Sequence, residues 1–244
     1  MKTPSDSTTV SLEIPAASNR LFATIASAAQ SFWQRPEMLF FLGALLLING
    51  APLFGTSAGA MIFQPQAVAA GQWWRVLTHP FVHVTWYHLL LDGAAFFVIY
   101  HSLLEKSLAR RLTYVLAGMA GSFLIAWSAA PNISGDGLCG LSGIAHGLTA
   151  VSALEMMVLF PPNSPERKIG LISFILVVGK AAVEALSGHM FFTFLYFGMV
   201  GTPVAVSHAG GVLGALLAYL ATNVAKPIKP PTGQTRAGWR IGSA

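Results

Sequence analysis

The amino-acid sequence predicts an all-α, polytopic membrane protein with six transmembrane helices, and three observations lead to this fold class. The chain of 244 residues is 54% hydrophobic. Only 9% of its residues are charged, whereas soluble domains carry roughly 25%. Its apolar residues are gathered into runs close to the ~20 residues that a helix needs to cross the ~30 Å hydrocarbon core of a bilayer. The lipid bilayer is therefore the first partner that the sequence implies.

Six apolar runs justify the six predicted helices. They cover residues 38–54, 86–104, 112–130, 141–160, 169–187 and 207–225. The sequence lacks the alternating short strands that a transmembrane barrel requires. We expect one domain over residues 38–225, between an N-terminal tail of residues 1–37 and a basic C-terminal tail of residues 226–244.

The distribution of basic residues orients these helices. Twelve of the fourteen Lys and Arg residues fall in the two tails, or in the loops after the second and fourth runs. Because cytoplasmic loops are enriched in basic residues, this pattern predicts cytoplasmic N and C termini in a multi-pass protein. The net charge of +5 then indicates contact with anionic lipid and no nucleic-acid partner. Residues 190–203 are also apolar, but Gly198, Gly201 and Pro203 interrupt them, so we expect an outer loop or an interfacial cap there.

Three polar side chains share one predicted depth in three different helices. Ser142, His88 and His208 each lie 18 residues from the predicted cytoplasmic boundary of their helix. The boundary residues are, in the same order, Phe160, Lys106 and Lys226. At 1.5 Å rise per residue, this separation places each of them about 27 Å above the cytoplasmic edge, just inside the outer boundary of the membrane. Ionisable groups are costly at such positions and therefore indicate function.

Small residues offer a way to bring two of these helices together. The fourth run has a Gly-xxx-Gly face at residues 143–147, and the sixth has one at residues 210–214. Such faces allow close approach of helix backbones. Close packing would place Ser142 within hydrogen-bond reach of His208, a base that can activate a serine. The alternative is that the glycines only pack helices, as GxxxG motifs do in many proteins that are not enzymes.

Four separately placed motifs are similar to those of one protein family. They are GLSG at 140–143, SHAGGVLG at 207–214, Trp74-Arg75, and the series His79, His83, His88 and Asp92. In this order they resemble the serine motif, the last-helix histidine motif, the first-loop tryptophan-arginine and the second-helix pattern of rhomboid intramembrane serine proteases. The resemblance extends over about residues 38–225 and implies a six-helix rhomboid-like bundle. No cofactor is indicated, and His79 and His83 lack a convincing third metal ligand, so no metal is expected.

The resemblance implies a serine-type endopeptidase, and it gives each site residue a role. Ser142 would attack the scissile carbonyl while His208 accepts its proton and later protonates the leaving amine. His88 and the backbone N–H of Ser142 would stabilise the oxyanion. No acidic residue lies at the level of His208 on the sixth predicted helix, so the expectation is a dyad.

Two of the expected site residues depart from the common pattern. Asp92 stands where the family usually has asparagine, and an ionised carboxylate there would repel an oxyanion. Asp92 is therefore either neutral through desolvation or paired with His88. In the paired case it either orients His88 for the reaction or is only a buried carboxylate whose hydrogen-bond partner is the neighbouring histidine. His146 stands where many members have a tyrosine beneath the catalytic histidine. Its imidazole would fill that place or bind Asp92.

Lys180 and Glu184 fall inside the fifth predicted helix, which the resemblance makes the side gate for substrate. They are four residues apart and can neutralise each other. One interpretation is a self-satisfied pair. The other is that both side chains meet polar groups of an arriving substrate segment.

The departures agree with one branch of the family. GLSGIAHG at 140–147, Asp92, and the Lys180-xxx-Glu184-xxx-Gly188 pattern together resemble rhombosortase. This branch implies a bacterial inner-membrane protease for C-terminally anchored substrates that carry a Gly-Gly motif, one apolar helix and a basic tail. The broader expectation is cleavage of single-span substrates near the outer face. An inactive rhomboid-like protein that binds membrane segments is the alternative, and a transporter is a third hypothesis.

Overall fold

Helices make up the protein in the computed structural model, which describes residues 35–50, 58–131, 133–191, 197–201 and 204–225. The helices are α1 (Pro36–Gly50), α2 (Pro65–Ala69), α3 (Trp74–Thr78), α4 (Trp86–Ser102), α5 (Leu108–Ala129), α6 (Ile133–Asp136), α7 (Ser142–Leu159), α8 (Pro165–Ser187) and α9 (Val206–Ala225). Two 3₁₀ turns, Ala58–Met61 and His79–Phe81, lie between them. Within the described ranges there is no β-strand, and the predicted all-α class is confirmed.

Two compact units divide the chain after Gly43. In the first, the described residues are Arg35 and residues 36–43, the first half of α1. The second unit, Ala44–Ala244, contains every predicted site residue. Of the two predicted tails, only residues 35–37 of the N-terminal one are described, and residues 226–244 lie outside the described residues.

The six long helices coincide with the six apolar runs, but they are not equally suited to cross a membrane. Among the described residues, α5, α7 and α8 are long and apolar enough to cross alone. The segment Trp74–Phe81 and α4 meet at 86° and would add a fourth crossing as one broken span. α1 is a shorter apolar helix, and α9 is not among the helices that qualify as crossings. The chain is a multi-pass membrane protein, and the arrangement of six spans stays a prediction.

Glycines let α7 and α9 touch through their backbones. A methyl group added at Gly211 would overlap the carbonyl of Gly143, and one added at Gly147 would overlap the carbonyl of Gly211. Helices that approach this closely leave no room for a Cβ at the crossing point. The contact holds the first turns of α7 and α9 side by side, where Ser142 and His208 lie.

The Gly-xxx-Gly face of α9 has a different partner from the one that the sequence suggested. A methyl group at Gly210 would overlap the carbonyl of Gly121, and one at Gly214 would overlap the carbonyl of Ala117, both on α5. The expectation that residues 210–214 pack on the fourth predicted helix is therefore wrong. Because neighbouring residues are rotated by about 100° on a helix, Gly211 faces α7 while Gly210 and Gly214 face α5.

The Trp74-Arg75 motif organises the polypeptide that precedes the site. The buried Arg75 guanidinium donates to the carbonyls of Gly59 and Ile62, at 2.7 and 2.6 Å. Just after them, Phe63 and Leu138 exchange two backbone hydrogen bonds of 3.0 Å each. These bonds tie the segment around residues 58–63 to the short stretch that leads into α7.

The apolar segment at residues 190–203 forms no helix in its described parts, residues 190–191 and 197–201. One of its backbone groups reaches the site, because the N–H of Phe191 donates to Glu184 at 2.8 Å. The remaining residues of this segment, on which the expectation of a loop or cap also rests, lie outside the described residues.

Candidate active site

Ser142 and His208 meet at the N-terminal ends of their helices. Ser142 is the first residue of α7, and His208 lies in the first turn of α9. The Ser142 Oγ is 3.1 Å from the His208 Nε2, within hydrogen-bond distance. The glycine contact between α7 and α9 is what brings these two side chains together. Their equal predicted depth was therefore a good guide to their proximity.

A third side chain, Glu184 of α8, completes a line of three groups. Its Oε2 is 2.7 Å from the His208 Nδ1, and the residue has no exposed surface. Because an ionised carboxylate only accepts, His208 Nδ1 carries the hydrogen and Nε2 is free to accept from Ser142. The sixth predicted helix has no acid at the level of His208, and the sequence did not indicate that Glu184 of the fifth contacts this histidine. Glu184 follows Arg167 by 17 residues and Lys168 by 16, so a count from this basic pair would have placed it near the predicted depth of Ser142.

Lys180 and Glu184 form the ion pair that their spacing allows. The Lys180 Nζ is 2.8 Å from the Glu184 Oε1, the oxygen that also accepts the Phe191 N–H. Both oxygens of Glu184 are thus engaged inside the protein. Lys180 remains partly exposed, with 21% of its side chain accessible.

His146 lies flat beneath His208. The two rings are 3.8 Å apart and tilted by 10°. The Nε2 of His146 is 3.0 Å from the Lys180 Nζ, and its Nδ1 is 2.7 Å from the Ser142 carbonyl oxygen. Since an ammonium group only donates, Nε2 accepts from Lys180 and Nδ1 donates to the carbonyl. The ring nitrogens of His146 therefore face Lys180 and Ser142, and not Asp92.

Asp92 caps the first turn of α7. Its Oδ2 accepts the backbone N–H groups of Leu141 and Ser142, at 3.0 and 3.1 Å. The same oxygen lies 3.2 Å from the His88 Nε2 and 3.6 Å from the His83 Nε2. Asp92 is thus paired with His88. The N–H of Ser142, expected to be an oxyanion donor, is engaged by this carboxylate.

Gly140 makes this arrangement possible. Its φ of +97° lies in the left-handed region, which favours glycine. A Cβ at this position would lie 2.9 Å from the Asp92 Oδ2 and 3.0 Å from the His88 Nε2. The glycine of the GLSG motif therefore lets the backbone close over the Asp92–His88 pair.

Two concave spaces border these residues. A cavity of about 80 Å³ is lined by Ser142, His208, His88, Asp92 and Cys139, among others. An open groove of about 620 Å³, mostly apolar, runs between α4 and α8 and is lined in part by His146 and Lys180. Burial, and secondarily the charge of Asp92, raise the pKa of the Cys139 thiol to about 11, so this thiol is a poor nucleophile at neutral pH.

Among the residues that the structure describes, two groups of side chains have donor atoms close enough to share a metal ion. They are His83, His88 and Asp92, and His146, Glu184 and His208, with donor atoms within 4.8 Å of one another. In the second group a metal would have to displace the Glu184–His208 and Lys180–His146 hydrogen bonds. The expectation that the site holds no metal stays a prediction.

Comparison with known protein families matches a Rhomboid domain over residues 70–227. Comparisons with curated proteins and with solved structures give no significant match. The matched region is more than half of the chain, and it includes Ser142, His208, Glu184, His146, Asp92 and His88. The match supports an intramembrane protease-like function in general. The chain therefore belongs to the rhomboid family.

Proposed function

We propose that this protein is an intramembrane serine endopeptidase in which Ser142 is the nucleophile and His208 the general base. The observation that supports this most strongly is the 3.1 Å contact between Ser142 Oγ and His208 Nε2 in a member of the rhomboid family. A serine hydroxyl is a weak nucleophile until an adjacent base takes its proton. The tautomer deduced for His208 leaves the lone pair of Nε2 facing that hydroxyl.

The proposed reaction follows the serine-protease scheme. Ser142 Oγ bonds to the scissile carbonyl carbon as its proton passes to His208 Nε2, and the C–N bond then breaks as that proton passes to the leaving amine. Water subsequently attacks the acyl group, gives a proton to His208, and restores the Ser142 hydroxyl as the acid product leaves. The oxyanion would lie in the cavity against His88, the side chain that Asp92 holds beside Ser142.

We further propose that the substrates are membrane-anchored proteins cut near the outer face of the bacterial inner membrane. The preferred class is the C-terminal anchor with a Gly-Gly motif, an apolar helix and a basic tail. A basic tail held in the cytoplasm would place Gly-Gly near the outer boundary, which is the depth predicted for Ser142. Two glycines also lose helical structure readily and would present an extended peptide bond.

A second candidate function is an inactive rhomboid-like protein that holds membrane segments. The observation that favours it is the Asp92 carboxylate on the N–H of Ser142, 3.1 Å away, because a negative charge there opposes an oxyanion. The two functions differ in whether Ser142 can react.

A fluorophosphonate probe applied to the purified full-length chain separates the two candidates. Active Ser142 displaces fluoride from phosphorus and stays labelled, and we expect Ser142→Ala and His208→Ala to abolish labelling. Equal labelling of the wild type and Ser142→Ala would refute the assignment of the nucleophile. A wild type that never labels would favour the inactive binder.

Substrate class is tested separately, with a co-expressed exported reporter carrying the anchor. We expect release of the reporter by the wild type, and no release when Gly-Gly becomes Leu-Leu. Equal release from both reporters would leave only the broader protease function. The predicted topology has its own test. Cysteines introduced at 107–109 and 132–136 should react from opposite sides of the membrane, and reaction from the same side would refute six spans.

A further inference from the structure

The contacts of Glu184 distinguish it from an ordinary buried carboxylate. Its Oε2 accepts from the His208 Nδ1 at 2.7 Å. Its Oε1 receives the Lys180 Nζ and the Phe191 N–H, each at 2.8 Å. An ammonium group and a backbone N–H both favour the ionised carboxylate. Glu184 is therefore held as an acceptor whose second oxygen is directed to the base.

We propose that Glu184 is a positioning residue, the third member of a Ser142–His208–Glu184 triad, and that Lys180 and His146 keep this triad in one protonation pattern. This inference rests on the proposed peptidase function. The hydrogen bond from His208 Nδ1 to Glu184 holds the tautomer that can accept the serine proton. It also stabilises the imidazolium that forms when the proton arrives.

The hydrogen positions around the triad are mutually consistent. Lys180 donates to Glu184 and to the Nε2 of His146, so the Nδ1 of His146 carries its hydrogen and donates to the Ser142 carbonyl. His146 is then neutral. Because its ring is stacked at 3.8 Å on His208, a second positive charge there would oppose formation of the His208 imidazolium. Lys180 thus does two things: it neutralises Glu184 and keeps His146 uncharged.

The triad is assembled from three helices, with Ser142 on α7, Glu184 on α8 and His208 on α9. Glu184 lies one turn after Lys180, on the helix that forms a wall of the open groove. A gate residue that contacts substrate directly needs exposed surface, and Glu184 has none. Its effect on the reaction is exerted through His208.

The test compares variants of the purified full-length chain by the saturation kinetics of fluorophosphonate labelling. We expect Glu184→Gln to lower kinact by about 10²–10⁴-fold, because a glutamine amide can donate to Nδ1 and favour the wrong tautomer of His208. KI should change little, since Glu184 does not touch the probe. Glu184→Asp keeps an acceptor and should recover at least a tenth of the wild-type kinact.

Two further variants separate positioning from a fault in folding. Glu155→Gln alters another fully buried carboxylate, one that accepts the backbone N–H groups of Leu104 and Glu105, and it should label at the wild-type rate. In Lys180→Met/Glu184→Gln no lysine is left without its counter-ion. If the double variant recovers the wild-type kinact, the loss in Glu184→Gln came from an unpaired charge and the inference is wrong.

The outcomes for this inference differ from those for the proposed function. Wild type labelled at Ser142 with Glu184→Gln within threefold of its kinact would overturn the triad and leave the peptidase intact. Wild type unlabelled would overturn the peptidase, and with it the triad. A fall in kinact with KI unchanged, partly restored by Glu184→Asp, is the result that supports it.

Discussion

Replacing Asp92 by asparagine or alanine tests how the first turn of α7 is held and whether a carboxylate beside Ser142 impairs the reaction. The Asp92 Oδ2 accepts the N–H groups of Leu141 and Ser142 and is only 7% exposed. Hydrogen bonds to a charged acceptor contribute about 1.5–3 kcal/mol each, against about 1 kcal/mol for a neutral one. Asp92→Ala should therefore cost about 3–6 kcal/mol of the free energy of unfolding.

Asp92→Asn keeps an acceptor at the same place and should cost less, about 1–4 kcal/mol, which is the difference between two charged and two neutral hydrogen bonds. The amide also replaces a negative charge near the oxyanion with a possible donor. We therefore expect Asp92→Asn to fold and to label with fluorophosphonate at a rate equal to or above that of the wild type. Asp92→Ala should be less stable and label more slowly.

The assay pairs thermal unfolding with labelling of the same detergent-solubilised samples. Glu155→Gln is the matched control, because it also changes a buried carboxylate that accepts two backbone N–H groups. It should lose comparable stability and keep its labelling rate. A folded Asp92→Asn protein that no longer labels would refute the reasoning and would mean that the carboxylate itself is required, for instance to hold the tautomer of His88.

Three other predictions use local features of the structure. Gly211→Ala should lower stability by about 3 kcal/mol or more, since overpacking of a tight contact is destabilising, whereas Gly93→Ala, which has open space for its methyl, should be neutral or stabilising in unfolding measurements. Because the pKa of the Cys139 thiol is raised to about 11, its alkylation should be slow at pH 7.5 and rise about tenfold per pH unit up to pH 10. As a control, a cysteine introduced at the exposed position 107 should already react fast by pH 9. Equal alkylation rates at both sites would contradict the burial of Cys139. Arg75→Lys should lower the unfolding temperature, because a lysine cannot reproduce the two guanidinium bonds from Nη1 to the carbonyls of the 58–62 segment; an unchanged unfolding temperature would contradict this role.

The long helices were predictable because their signal is local. A run of about 20 apolar residues satisfies its own backbone hydrogen bonds in lipid only as a helix, and each of the six runs coincides with a helix, as far as the structure describes them. The two ends of α8 were also predictable from local sequence signals. Ser164 caps its first turn by accepting from the Arg167 N–H, and Gly188 ends it with a φ of +70°.

The sequence by itself determined the fold class and the membrane environment, and it predicted a shared depth for Ser142, His88 and His208, because hydropathy and the rise per residue give a position along a helix axis. Only the tertiary structure decided that Glu184 meets His208, that Asp92 caps α7, and that Gly211 and not the 210–214 face meets α7. These contacts depend on how each helix is rotated about its axis. That rotation is set by close packing between helices distant in the chain, such as the glycine contact of α7 with α9. The residue spacing along a single helix therefore cannot predict it.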